Sequence, residues 1–346
     1  MHDYSLSESP VCLDEQIAQV PLALAGERLD KVLARLFPTF SRSRLQIWID
    51  AGRVTLDGIR GWTRQRVHPG ATVRLAPDLL PQALAFVPEP IPLEILYEDK
   101  TLVVINKPAG LVVHPAPGNW SGTMLNGLLY HYPDAARLPR AGIVHRLDKN
   151  TSGLIVVART LAAQINLLRQ LRAHTVKRRY IALTWGVTPP SGSISESIGR
   201  DPHKRTRMAV LTGATSKPAH THFVTVATSS WSGHPVSRLY CDLYTGRTHQ
   251  IRVHLAHASY PLLGDQMYGC VRNSRKKPTL PHGFARQALH ACRLELLNPS
   301  TNVPVAWHSK MPKDLEKLTS TLGLLNVLDE ECNTLLTKKG NFEFDG

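Results

Sequence analysis

The chain has 346 residues, 42% of them hydrophobic, and a mean hydropathy of −0.16, which is typical of a soluble protein of two or three domains. No apolar run approaches the roughly 20 residues that a membrane-spanning helix needs, so we predict no membrane segment. Lys and Arg number 41 against 27 Asp and Glu, a net charge of +14. This excess favours a nucleic-acid-binding protein over a cationic protein whose charge is only solvated.

The N-terminus and the cysteines both favour a reducing cytoplasm as the location of the protein. The first residues include acidic side chains and lack an apolar core, so they are no secretory signal. The five cysteines are widely spaced and form no C-x-x-C pair, which indicates neither a disulfide framework nor a zinc knuckle.

The N-terminal part of the chain divides into an extension and a small module. Residues 1–19 are polar and without periodicity, and we expect a flexible extension there. In the module, 20–80, the apolar residues of 29–37 have the spacing of an amphipathic helix. Ser41 is placed to cap a second helix, which Gly52 ends.

This module is strongly basic. Residues 20–75 contain ten Lys or Arg and four acidic residues. Arg42 and Arg44 lie at the start of the second helix, where cations oppose the helix dipole unless a phosphate binds the exposed N–H groups. The pattern therefore predicts a phosphate-binding surface, with a solvated helical hairpin as the alternative.

The rest of the chain is predicted to form a second, larger domain. Residues 81–92 are rich in proline and fit neither the helical nor the strand period, which predicts a semi-rigid linker. Over 93–315, short apolar runs alternate irregularly with helical patterns, without a steady βαβ rhythm or a G-x-G-x-x-G motif. We therefore predict an α+β fold with a mixed, largely antiparallel sheet, followed by a C-terminal tail at 316–346.

One stretch of this domain, 142–158, places two short apolar runs on either side of a polar loop rich in turn formers. Side chains alternate faces in an extended segment, so Arg146 and Asp148 are expected to project together at a strand end. They would form either a positioned carboxylate with its basic neighbour or an ordinary surface ion pair beside a turn.

A second dense stretch, 243–257, combines a helical apolar spacing with basic side chains. We expect a helix from about Thr248, which places Arg247 at its N-terminus, an unfavourable position for a cation unless a carboxylate or phosphate lies nearby. The three histidines of this stretch lack the i, i+4 pairing of H-E-x-x-H and have no adjacent acid, which disfavours a metal site. They are His249, His254 and His257.

Few other kinds of chemistry fit the sequence. It contains no G-x-S-x-G motif, no P-loop and no paired carboxylates near Asp148. A single carboxylate with basic neighbours favours a nucleophile over a general acid, because cations stabilise its ionised form.

Two sets of motifs resemble known RNA-binding and RNA-modifying proteins. The strings at 26–33, 41–44 and 52–54 resemble the S4 domain, a small RNA-binding module. Four further strings resemble, in the same order, the motifs of the pseudouridine synthases that modify ribosomal and transfer RNA. These strings run from His145 to Leu154, from Lys177 to Leu183, from Thr245 to His254 and from Leu263 to Gly269.

The resemblance covers residues 20–315, so the chain is identified as a member of that family. It implies an S4 domain at 20–80 and a catalytic domain of the pseudouridine synthase fold at 93–315. Two features depart from the pattern. Asn150 stands where Asp is common, and the end of the tail, 322–346, matches no motif of the family.

The resemblance also implies roles for four residues. Asp148 would be the nucleophile that breaks the uridine C1′–N1 bond so that C1′ can bond to C5. Attack on the sugar, attack on the base and elimination through a glycal all stay open. Tyr180 would stack on the target base, and Arg247 would form an ion pair with Asp148. Arg146 would occupy the space left by the flipped nucleotide.

Eight further residues are predicted to contact RNA, because they are basic or polar and lie within strings shared with the family. For the run from Lys204 to Arg207, a solvated basic hairpin is an equal alternative. The eight residues are Arg42, Arg44, Arg53, Lys204, Arg205, Arg207, Gln250 and Arg252.

The resemblance is strongest to members that act on large-subunit (23S) ribosomal RNA. It implies uridines of the helix 69 stem-loop as targets and a contribution to ribosome maturation. The partner would be this RNA in the large ribosomal subunit or its late precursor. We expect a monomer that needs no metal or cofactor, since the isomerisation involves no net redox change.

Two other classes of protein remain as alternatives. One is a non-enzymatic RNA-binding or ribosome-assembly factor, which the joint presence of Asp148, Tyr180 and Arg247 argues against. The other is a metal-dependent RNA nuclease, which the missing carboxylate cluster argues against.

Overall fold

The chain divides after Ala85 into two units, each with its own hydrophobic core. The structure, a computed structural model, describes residues 14–77, 81–204, 206–269 and 278–325. Within these ranges, no helix has the length and apolar character needed to cross a membrane.

The first unit packs two helices against a small antiparallel sheet. The sheet order is β1-β4-β2-β3, and Leu33 of the first helix and Trp48 of the second are buried in one core. Ser41 caps the second helix by accepting a hydrogen bond from the backbone N–H of Arg44, as predicted. The elements are β1 (Gln16–Gln19), α1 (Leu29–Leu36), α2 (Arg42–Asp50), β2 (Val54–Leu56), β3 (Ile59–Arg60) and β4 (Thr72–Leu75).

The prediction of a flexible extension over 1–19 is wrong at its end. Residues 16–19 form β1, which pairs along its whole length with β4. The strand buries only part of its surface, so its backbone hydrogen bonds rather than an apolar pattern hold it. Residues 1–13 lie outside the described ranges.

The second unit is built on a nine-stranded sheet in the order β5-β6-β7-β14-β8-β13-β12-β9, with β15 paired to β14. Every neighbouring pair is antiparallel except β7 and β14. The predicted α+β fold with a mixed, largely antiparallel sheet is therefore confirmed. The strands are β5 (Ile95–Glu98), β6 (Leu102–Lys107), β7 (Ser152–Ala158), β8 (Lys177–Trp185), β9 (Ser191–Ile194), β10 (Ile198–Arg200), β11 (Met208–Val210), β12 (Thr221–Trp231), β13 (His234–Leu243), β14 (Leu289–Leu297) and β15 (Pro304–His308).

In the described part of the second unit, four helices pack on this sheet, and β10 and β11 form a separate hairpin. The helix predicted from about Thr248 begins two residues later, at Gln250. The helices are α3 (Met124–His131), α4 (Leu161–Arg172), α5 (Gln250–His257) and α6 (Lys313–Thr321).

Both ends of the predicted second domain differ from the expectation. Residues 81–86 of the proline-rich linker form a 3₁₀ helix, and the carboxylate of Glu89 accepts hydrogen bonds from the backbone N–H of Gly122 just before α3. At the other end, α6 crosses the predicted boundary at residue 315. Its Leu318, together with Leu324 beyond it, is fully buried. The core of this unit therefore extends to the end of the described chain.

The apolar run 143–147 forms no strand, contrary to the strand end expected beside Asp148. Ile143 makes a single bridge to Val157 of β7, and the Nε2 atom of His145 accepts the backbone N–H of Val156 at 3.0 Å. A side-chain nitrogen thus replaces a backbone carbonyl as the acceptor, and the segment follows the edge of β7 without forming a ladder. Burial and the charge of Arg178 lower the pKa of His145 to about 3, which keeps this acceptor neutral.

Candidate active site

Asp148 lies in the loop that enters β7, between the buried Leu147 and Thr151. The carbonyl groups of this loop are hydrogen-bonded from two sides. Lys107 Nζ donates to the carbonyl of Lys149 at 3.1 Å, and Arg286 Nη1 donates to that of Asn150 at 3.2 Å. The backbone on which the carboxylate stands is therefore fixed by cations from β6 and from the segment before β14.

Lys107 is buried, and no carboxylate among the described residues forms an ion pair with it. Its side chain is 0% exposed, and its ammonium also donates to the carbonyls of Pro108 and Leu111, at 2.7 and 2.9 Å. Burial lowers the pKa of Lys107 to about 7; the charge of Asp148 opposes this shift and that of Arg286 adds to it.

Arg252 of α5 connects two carboxylates. Its Nη1 donates to Oδ2 of Asp148 at 2.9 Å, while its Nε and Nη2 donate to the two oxygens of Asp265 at 2.7 and 3.0 Å. Both Arg252 and Asp265 are buried, whereas the Asp148 side chain remains 16% exposed. The guanidinium is thus held by the deeper carboxylate and presents one N–H to the more exposed one.

The protonation states of this group follow from its contacts. Burial opposes the charged form of Arg252, but its hydrogen bonds and attraction to Asp265 and Asp148 raise its pKa above the usual range. Burial likewise acts to raise the pKa of Asp265, and the contact with Arg252 outweighs it and lowers that pKa. The ion pair beside Asp148 therefore stays charged at neutral pH.

The predicted ion pair between Arg247 and Asp148 is wrong. Arg247 Nε donates to the carbonyl of Pro218 at 3.0 Å, and its backbone N–H donates to the side chain of Gln250. Arg252 lies five residues later in the chain, within α5, and its side chain reaches Asp148. The sequence assigned Arg252 to RNA contacts, so the right stretch was chosen and the wrong arginine within it.

Tyr180 of β8 lies in the same core cluster as Leu147, beside the loop of Asp148. It is 6% exposed. Burial raises the pKa of Tyr180 to about 12; the charge of Arg178 opposes this shift, and that of Asp148 adds a smaller contribution to it. The phenol therefore remains protonated throughout the neutral range.

His249 precedes α5 and adopts a left-handed backbone conformation, with φ 58° and ψ 22°. Its Nδ1 lies 2.9 Å from the hydroxyl of Tyr268, and its Nε2 lies 3.9 Å from Oδ1 of Asp148. Burial lowers the pKa of His249, with Arg252 and Arg146 acting in the same direction and Asp148 and Asp265 against it. A neutral imidazole therefore faces the carboxylate oxygen that Arg252 does not contact.

Several predicted RNA contacts are engaged within the protein. Gln250 is 3% exposed and bonds Thr245, Arg247, His220 and Thr221 with its amide, so the prediction that it contacts RNA is contradicted by its burial. In the β10–β11 hairpin, Arg207 donates to the carbonyl of Met267 and lies over the ring of Tyr268.

Other predicted contacts are available to solvent. Lys204 and Arg146 are exposed, and Arg146 directly precedes the loop that carries Asp148. Arg205 lies outside the described residues.

The cations of the first unit are ordered by buried partners. Arg42 donates to Asp30 Oδ2, with Nε at 3.1 Å, and the fully buried Asp30 also accepts from Arg28 and Gln46. Arg44 lies 4.9 Å from the ring centroid of Trp48. Arg53 follows α2 and is exposed.

The histidines of α5 are not arranged around a common point. His254 is buried, with Nδ1 at 2.9 Å from the hydroxyl of Thr221 and Nε2 at 2.9 Å from the carbonyl of Glu196. Within the described part of the chain, no group of three His, Cys, Asp or Glu side chains could hold a metal ion.

Four residues of the site carried no role in the sequence interpretation: Lys107, His249, Asp265 and Arg286. His249 and Asp265 lie within two of the four strings that resemble the family motifs, whereas Lys107 and Arg286 lie outside all four. A lysine at the end of an apolar run and an aspartate in a Gly-Asp turn are ordinary in sequence. Only their burial marks them.

The site therefore combines one carboxylate, the arginine paired with it and a buried tyrosine on a mixed sheet, and a basic module precedes it in sequence. The sequence model of the RNA pseudouridylate synthase family matches residues 101–257, and that of the S4 domain matches residues 27–73. The chain belongs to the family of RNA pseudouridine synthases, which are isomerases, and carries an S4 domain.

Similar proteins support this assignment over most of the chain. A protein of Neisseria meningitidis named ribosomal large subunit pseudouridine synthase D is 49% identical over 317 residues, which cover 91% of this chain and 83% of that protein. A Pseudomonas aeruginosa protein of the same name is 47% identical over 314 residues, covering 89% and 96%. The solved structure of human RNA pseudouridylate synthase domain containing 1 matches with a TM-score of 0.53 and 27% identity, covering 72% of this chain and 97% of that one.

Proposed function

We propose that this enzyme isomerises uridines of large-subunit (23S) ribosomal RNA to pseudouridine, with Asp148 as the nucleophile. The observation that carries the proposal is the Asp148–Arg252–Asp265 arrangement, in which Arg252 is bonded by the buried Asp265 and donates one N–H to the more exposed Asp148. An ionised carboxylate is what each of the three routes, through the sugar, the base or a glycal, requires.

The reaction is an internal exchange of bonds. The C1′–N1 bond breaks, C1′ bonds to C5, the C5 hydrogen leaves as a proton, and N1 gains one. No electron acceptor or group donor enters this balance. Tyr180, protonated beside the carboxylate, would stack on the uracil ring, and the target nucleotide would be flipped out of its helix, with the exposed Arg146 occupying the vacated space.

The substrate class rests on the relatives and on the basic first unit. The relatives are named for the large ribosomal subunit, and the S4 domain supplies the oriented cations Arg42 and Arg44 for a phosphate backbone. Within that RNA we propose the helix 69 stem-loop as the target. We further propose that the enzyme acts as a cytoplasmic monomer on the large subunit or its late precursor.

The decisive experiment measures tritium release from [5-³H]uridine-labelled RNA in assembled large subunits. Wild-type enzyme is expected to release tritium and Asp148→Asn is not, with RNA affinity unchanged. Release by both would exclude Asp148 as the nucleophile. Release by neither, with RNA bound, would favour a binding factor without catalytic activity.

Mapping of pseudouridine in a deletion strain tests the proposed target. Loss of modification confined to the helix 69 loop is expected. An unchanged loop would refute that target while leaving the chemistry intact.

A further inference from the structure

His249 has a strained, left-handed backbone conformation at the N-cap of α5. A left-handed conformation is unfavourable for a non-glycine residue, and a residue at a helix N-cap normally makes a side-chain hydrogen bond to the first turn. His249 makes no such bond. Its ring instead points towards Asp148, so the contacts in the site hold the strained backbone in place.

The contacts of Tyr268 favour one tautomer of this ring. The backbone N–H of Met208 can only donate, and it donates to the Tyr268 hydroxyl oxygen at 2.8 Å. The hydroxyl hydrogen is then available to His249 Nδ1, at 2.9 Å. With Nδ1 acting as the acceptor, a neutral ring carries its hydrogen on Nε2.

The Tyr268 ring itself contacts two cations. The guanidinium carbons of Arg207 and Arg252 each lie 5.0 Å from its centroid. Arg207 belongs to the segment that leads into β11, and Arg252 is the partner of Asp148. The orientation of His249 is therefore set by residues from three separate segments of the chain.

We propose that His249 is a positioning residue, whose neutral ring accepts the Tyr268 hydroxyl at Nδ1 and directs Nε2–H to Oδ1 of Asp148. The proposal deepens the function proposed above, since it rests on Asp148 as the reactive carboxylate. Arg252 holds one oxygen of that carboxylate and His249 orients the other. The separation of 3.9 Å shortens to a hydrogen bond when bound RNA excludes water, as catalytic contacts commonly tighten in the complex.

The first test is spectroscopic and needs no substrate. Long-range ¹H–¹⁵N correlations of the full chain labelled with ¹⁵N-histidine report the tautomer of each ring, and the His249 signals are assigned by their loss in His249→Gln. We expect hydrogen on Nε2 only, and a mixture of tautomers in Tyr268→Phe, which keeps an aromatic ring beside the two arginines. Hydrogen on Nδ1 in the wild type would overturn the proposal.

The second test compares two amides at position 249 in single-turnover pseudouridine formation. Gln places an N–H near the Nε2 position, whereas Asn reaches only the Nδ1 position and tolerates a left-handed backbone well. We expect the rate to fall about 10- to 100-fold in His249→Asn and much less in His249→Gln, with the RNA affinity and melting temperature of both close to wild type.

Equal rates in the two variants, or equal losses of RNA affinity, would refute a positioning role. An inactive wild type would overturn the proposed function instead. The spectra would still decide the hydrogen-bond arrangement, so the two failures are distinguishable.

Discussion

Arg252 and Arg247 are five positions apart in the chain, and their guanidinium groups lie in different environments. Arg252 is buried between two carboxylates, whereas Arg247 bonds a backbone carbonyl at the edge of the site. A guanidinium can span both carboxylates because its donors form a rigid planar fork. An ammonium group cannot, and this difference provides a direct test.

Arg252→Lys is expected to lower kcat by at least about 100-fold, because lysine would keep a charge near Asp265 but lose the bond to Asp148. The matched change Arg247→Lys should alter kcat by less than about threefold. Single-turnover pseudouridine formation measures both. A comparable loss in the two variants would restore Arg247 as the partner.

Lys107 gives the stability of the fold a specific dependence on pH. Its native pKa of about 7 lies below the value of about 10.4 for an unfolded chain. Between these values the unfolded state binds more protons, so this group makes unfolding less favourable as the pH rises.

The destabilisation caused by Lys107→Met should therefore grow between pH 7 and pH 10, by up to about 1.4 kcal/mol per pH unit. Urea unfolding at both pH values measures it. Lys100→Met, at an exposed lysine, is the control and should show no such trend. A constant difference for Lys107→Met would mean that the buried lysine stays protonated.

At the scale of elements, the site depends on the parallel pairing of β7 with β14. This pairing begins directly after the loop of Asp148, with Ser152 opposite His290 and Gly153 opposite Ala291. Gly153 has φ 113°, and a Cβ atom there would collide with the backbone carbonyl of Ala291. Only glycine allows the two strands to approach at this point.

Gly153→Ala is expected to lower the free energy of unfolding by more than about 3 kcal/mol, since neither backbone can yield within the sheet. Gly118→Ala is the control: it also has a positive φ, of 87°, but its added Cβ would meet no atom within 4 Å. Its cost should be about 1 kcal/mol, the strain alone. Chemical denaturation measures both, and similar losses would contradict a steric role for Gly153.

At the scale of the whole molecule, the net charge is +14, and some of the cations that contribute to it are held in place by neighbouring side chains. In the first unit, Asp30 and the rings of Phe40 and Trp48 hold Arg42 and Arg44 in defined orientations. Ordered cations of this kind are expected to displace counterions from RNA.

Arg44→Gln should weaken RNA binding and reduce the slope of log Kd against log salt by about 0.7 to 0.9, the equivalent of one phosphate contact. The control is Arg35→Gln, because Arg35 is paired with Glu27 at 2.9 Å. Fluorescence anisotropy across a salt series measures the slopes. An unchanged slope in Arg44→Gln would remove this arginine from the RNA interface.

Much of the fold could be predicted because it depends on local signals. The spacing of apolar residues in α1 and the Ser41 cap each involve neighbours in sequence, and both are confirmed. The same reasoning failed for the segment 143–147. Its apolar residues have the pattern of a strand, but the His145 ring, and not a backbone carbonyl of the segment, accepts the backbone N–H of Val156 in β7.

The sequence by itself determined the family, through motifs that resemble it, and the α+β fold with a mixed sheet, through apolar runs that alternate irregularly with helical patterns. Only the tertiary structure decided that Arg252, and not Arg247, pairs with Asp148, that Lys107 and Arg286 fix its loop, and that His249 faces it. The physical reason is distance along the chain. Asp148 and Arg252 are separated by 104 residues, and their contact is made by the sheet and α5 together.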